Sequence, residues 1–139
     1  MSGFTKAERE AMAARLEEVR AAKKGSAKAE REDKACLDAI AKLPDADRAM
    51  AERLHVIVLE TAPELRAKTM YGMPAYHRDG TVVVFFQAAS KFETRYSTVG
   101  FDEGANLDDG AMWPMSFALT ALGEPEEKAL RELVARAVS

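Results

Sequence analysis

Asp79-Gly80 separates two short runs that read as β-strands, residues 75–78 and 81–88. An Asp-Gly pair supplies the two positive-φ positions that a two-residue hairpin turn demands. It commits the middle of the chain to an antiparallel hairpin, and so commits the remainder to folding around an antiparallel sheet. The second arm is the most β-like run of the chain. Val82, Val84 and Phe86 fall on one face, and Val83, Phe85 and Gln87 on the other. Both faces are largely apolar, so one is expected to meet helices and the other to be covered or to line a concavity. Residues 68–71, 92–99 and 115–122 also read as strands.

The flanks of this region are helical in pattern. Thr5-Lys6-Ala7-Glu8 has the form of a capping box, and the helix it opens is expected to stop near residue 24, before Gly25-Ser26. Its large apolar residues are Met12, Leu16 and Val19, a stripe so narrow that it suits docking on a partner, or on a second copy in a homodimer, better than filling a core. A second helix, with Leu37, Ile40, Ala41 and Leu43 as its apolar face, is expected to end at Pro44. A third, over residues 46–61, has Asp45 or Asp47 as its expected cap and buries Met50, Leu54, Ile57 and Val58. Glu124-Pro125-Glu126-Glu127 opens a terminal helix that buries Leu130, Leu133, Val134 and Val138. The expected fold is α+β: an antiparallel β-sheet packed against helices. A helical N-terminal extension, 1–44, precedes the domain, 45–139.

The chain has 139 residues, 47% hydrophobic and 31% charged, which suits one soluble domain with its own core. It has no apolar run of membrane-spanning length, and its first residues lack a signal-peptide core, so a cytoplasmic protein without a membrane partner is expected. Cys36 is the only cysteine and cannot form an internal disulfide. It sits in a helical pattern beside Leu37 and reads as a buried structural thiol. Neither histidine is near it in sequence, so only proximity in space would give it a further role. The net charge is -3. From Tyr96 through Glu127 there is no Lys or Arg, while seven acids occur. Such a flank repels phosphates, so a nucleic-acid partner is not expected.

Chemistry-bearing motifs are sparse. No Gly-x-Ser-x-Gly and no glycine-rich phosphate loop is present, and His55 and His77 are the only histidines, without zinc-ligand spacing. His77 is the candidate acid/base if the protein is an enzyme acting on a small anion. His55, beside Leu54 and Val56, reads as a satisfied, half-buried imidazole. The acids Asp102, Glu103, Asp108 and Asp109 of the 100–110 loop are candidate ligands for a hard cation, although they do not follow the EF-hand pattern. The leading candidate site is the hexapeptide Tyr71-Gly72-Met73-Pro74-Ala75-Tyr76. Gly72 and Pro74 make it a rigid bend. Tyr71, Met73, Pro74 and Tyr76, joined by Phe86, Lys91, Arg95 and Tyr96, are expected to form an aromatic, basic pocket for a small carboxylate or phosphate.

Pro63-Glu64-Leu65, the hexapeptide, the hairpin into Val82-Val83-Val84-Phe85-Phe86 and the Leu-rich terminal helix resemble the YdhG-like domain family, over residues 46–139. The resemblance implies a small α+β domain and an intracellular iron chaperone with a frataxin-like role. Iron would then be the metal, held by the carboxylates of the 100–110 loop and the start of the terminal helix. Three functional readings stand open: a non-enzymatic binding protein, a domain acting on a small anion, and an interaction module that uses its N-terminal helix.

Overall fold

The computed structural model describes residues 5–139, apart from the side chains of 17–25. Among the described residues the elements run α1 (Lys6–Ala41), α2 (Asp45–Thr61), β1 (Arg66–Met70), β2 (Met73–Arg78), β3 (Thr81–Gln87), α3 (Ala89–Phe92), β4 (Ser97–Phe101), β5 (Ser116–Leu119) and α4 (Glu124–Ala137). The fold is α+β. The sheet is an antiparallel meander in the order β1-β2-β3-β4-β5.

The chain divides into one unit up to Arg31 and a second, Glu32–Ser139. The first is a single stretch of α1. Thr5 caps it as expected: its Oγ1 accepts the Glu8 N–H at 3.1 Å. Met12 and Leu16 are exposed, while Val19 lies outside the described side chains. The helix does not stop at Gly25-Ser26 but continues to Ala41. One interior glycine costs about 1 kcal/mol, which the Ala-, Lys- and Glu-rich flanks offset. The second unit begins inside α1, earlier than the expected boundary at 44–45, because Cys36, Ile40 and Leu43 belong to the core of the sheet domain.

Within that domain α2 and α4 cover the sheet face that carries Ala67, Tyr76, Val84, Phe86 and Val99. Asp79 and Gly80 both have positive φ, 52° and 84°, so the hairpin forms as predicted. The register slips between Tyr76 and His77, which leaves Val83 as an extra residue in β3. Strict alternation is therefore lost, and Val83 and Val84 are both fully buried. On the opposite face the Phe85 ring lies against Gly100, where a Cβ would collide with it. Neither Asp45 nor Asp47 caps α2. Pro44 holds that position without a side-chain hydrogen bond, and Asp45 pairs with Arg48 at 2.8 Å. Arg131, which pairs with Glu60 at 3.2 Å and Glu127 at 3.1 Å, ties α4 to α2.

The expected strand over 92–99 forms only in its last three residues. Residues 89–92 make the helical turn α3, closed by Glu93 at φ 54° and by the Thr94 N–H donating to Ala89 O at 3.1 Å. The strand β4 starts only at Ser97.

Candidate anion-binding cleft

The hexapeptide is a tight turn followed by a strand, so its two tyrosines part. Met70 pairs with Met73 across a two-residue turn in which Tyr71 and Gly72 have φ 50° and 76°. Tyr71 stands at the tip, 88% exposed. Met73 and Pro74 are buried in β2, and the ladder to β3 stops at Ala75, beside the proline that has no N–H to give. Tyr76 is 0% exposed, and Phe86 is buried in the same core. The expected aromatic wall is therefore not assembled. The guanidinium of Arg95 lies over the Tyr96 ring at 5.2 Å, and both are exposed side chains beyond α3 that line no part of the cleft described next.

Of the eight expected residues, Lys91 alone reaches the turn and a cavity together. Its Nζ donates to Gly72 O at 2.9 Å. The cleft it lines has a volume of about 620 Å³, within the range of small-molecule sites. One wall is the end of α1 with its exit, contributing Ala35, Asp38, Ala39, Lys42, Leu43 and Pro44. Thr69 of β1, Gly72 of the β1–β2 turn, and Ser90 and Lys91 of α3 form the other. The α3 turn is fixed from below. Asp47, buried in α2, accepts both the Ser90 N–H, at 3.0 Å, and the Ser90 hydroxyl through the same oxygen. The Ala89 N–H donates to Ser97 Oγ at 3.0 Å. Lys91 is thus an exposed cation on an anchored backbone.

The charge of the cleft follows from its pairs. Asp38 accepts from Lys34 at 2.8 Å, and that hydrogen bond holds its carboxyl below the usual range. Asp38 is therefore ionised, bonded to Lys34 and also within electrostatic reach of Lys42. Lys42 makes no side-chain hydrogen bond among the described residues, and Lys91 spends one of three donors on Gly72. Two ammonium groups beside an apolar wall of Ala35, Ala39, Leu43 and Pro44 suit an anion with a hydrophobic body.

Other candidates fall elsewhere. His77 Nδ1 accepts the Gly80 N–H at 3.2 Å, a bond that supports the hairpin turn, and His77 does not line the cleft. In the 100–110 loop Ala105 and Leu107 are buried and anchor the chain, so Asp102, Glu103, Asp108 and Asp109 point outward. Asp102 Oδ1 accepts the Glu103 N–H at 2.8 Å. Among the described residues no three His, Cys, Asp or Glu side chains are gathered where they could hold a metal ion.

Cys36 does meet a histidine through space, by way of Tyr76. The Tyr76 Oη lies 2.8 Å from His55 Nδ1, with the rings 5.6 Å apart, and it also bonds the Cys36 thiol. Burial pushes the thiol up to about 11 and the phenol well above its ordinary value, and it lowers the imidazole. All three are neutral at pH 7.5, which makes this a buried hydrogen-bonded chain and not an activated nucleophile.

No protein-family model, curated protein or solved structure matches this chain.

Proposed function

We propose that the protein is a non-enzymatic, cytoplasmic binding protein that takes a small amphiphilic anion in the cleft between the end of α1, the β1–β2 turn and α3. The observation that carries this reading is Lys91, fixed by its bond to Gly72 O and facing, with Lys42, an apolar-walled cavity whose only carboxylate is already paired. A binding role is favoured over catalysis because the cleft offers no acid/base pair. Asp47 takes both Ser90 donors as a cap that fixes a turn, and His77 serves the hairpin. The YdhG-like resemblance would add iron, but the outward acids of the 100–110 loop lend that version no support.

The test is a fluorescence titration with 8-anilinonaphthalene-1-sulfonate, an aryl anion. Saturable binding is expected, weakening as salt is raised. Lys91→Ala should weaken it about tenfold, the loss of one charge-assisted hydrogen bond of about 1.4 kcal/mol. Equal affinity in the folded variant and the parent protein would contradict the reading.

A further inference from the structure

A second cavity, of about 360 Å³, lies on a different stripe of α1. Its walls include the apolar Leu37, Leu59, Pro63 and Leu65 and the polar His55, Asp33 and Arg66. On α1, residues 33 and 37 lie one turn apart, whereas residues 35, 38, 39 and 42 of the anion cleft fall on another side.

The polar groups of this cavity are arranged to offer no net charge. Arg66 pairs with Asp33 at 3.1 Å, so the two charges offset one another beside the cavity. His55 is held neutral by burial. Its Nδ1 is committed to the Tyr76 hydroxyl at 2.8 Å. Its Nε2 makes no hydrogen bond among the described residues, and no buried side-chain nitrogen or oxygen there lacks a partner. Nε2 is therefore an accessible atom of a residue that lines the cavity. With Nδ1 held by the Tyr76 hydroxyl, the ring is fixed in direction and leaves one ring nitrogen for a ligand beside the leucines of the lining.

We infer that this cavity is a second binding site, taking a small neutral phenol or aromatic alcohol whose ring packs on Leu37, Leu59 and Leu65 and whose hydroxyl pairs with His55 Nε2. A hydroxyl serves either tautomer, because it donates or accepts as the imidazole requires. A carboxylate near Arg66 also meets Asp33, and an ammonium near Asp33 also meets Arg66, so neither ion gains a net attraction. Charged analogues are thus disfavoured because their own desolvation against the leucines is not offset by a net counter-charge.

The experiment is an NMR titration of the full chain at pH 7.5 with phenol, benzoate and benzylamine, read on the His55 ring Cε1–H resonance. His77 serves as an internal reference. Phenol should shift His55 saturably, and benzoate and benzylamine should bind at least tenfold more weakly. Leu37→Trp, at an exposed position on the rim, should block the slot and weaken phenol at least tenfold while leaving the anilinonaphthalene sulfonate affinity of the other cleft unchanged. Leu59→Trp provides the same obstruction from α2 if the first variant does not fold. A His55 resonance that phenol leaves unmoved, benzoate binding as well as phenol, or phenol affinity that survives both obstructions would overturn the assignment.

Discussion

His55 makes stability depend on pH in a direction that follows from its burial. Its folded pKa lies below the ordinary 6.5, so between the two values the unfolded chain binds the proton more readily. The stabilisation is fully present above about 6.5, and it is lost as the pH falls through the depressed folded value. Denaturant midpoints measured from pH 8 down to pH 5 should therefore fall, and that component of the slope should be absent in His55→Gln. An unchanged slope in the variant would assign the effect elsewhere. The half-buried imidazole expected at this residue was legible from its apolar neighbours on α2, and of its two nitrogens Nδ1 is satisfied. Its partner was not. Tyr76 is 21 residues away, and nothing local distinguishes it from Tyr71, which ends almost fully in solvent. The difference between the two tyrosines comes from strand parity and from the turn at residues 71 and 72, which throws the first outward and leaves the second facing the helices.

Local chemistry dictated some elements and tertiary capture dictated others. Asp79-Gly80 gave the hairpin and Glu124-Pro125 gave the start of α4, because turn geometry and helix-end electrostatics act within a few residues. The alternation of Phe92, Thr94, Tyr96 and Thr98 suggested a strand, yet α3 forms, since Asp47 takes the Ser90 N–H from 43 residues away. Likewise the slip at Tyr76/His77 answers to the packing of Val83 and Val84, not to any residue in the turn. Asp47 thereby links the fold to the site. Asp47→Ala leaves the Ser90 N–H and hydroxyl without their acceptor. It should cost about 1–3 kcal/mol in urea unfolding. It should also weaken binding of the anilinonaphthalene sulfonate, because the backbone carrying Lys91 is no longer anchored. A loss of stability with unaltered affinity would show that α3 does not position the cation.

At the scale of the whole sheet domain, Glu32–Ser139, the anion cleft is built from three separate stretches: the end of α1, the β1–β2 turn and α3. The sequence pointed to the 71–76 turn and to Lys91, which do meet. It gave no signal for Ala39, Lys42 or Pro44, whose role depends only on where α1 ends against the turn. It also placed Tyr76 and Phe86 in the site, when the helices claim both for the core. The central claim is that this junction binds an anion through Lys42 and Lys91. Its most direct test is a backbone-amide NMR titration of the full chain with 1-naphthoate. Saturable shifts confined to residues 35–44, 69–73 and 88–92 are expected, weakened at least tenfold in the Lys42→Gln, Lys91→Gln double variant. Shifts centred on residues 55–67, or undiminished in the double variant, would contradict it.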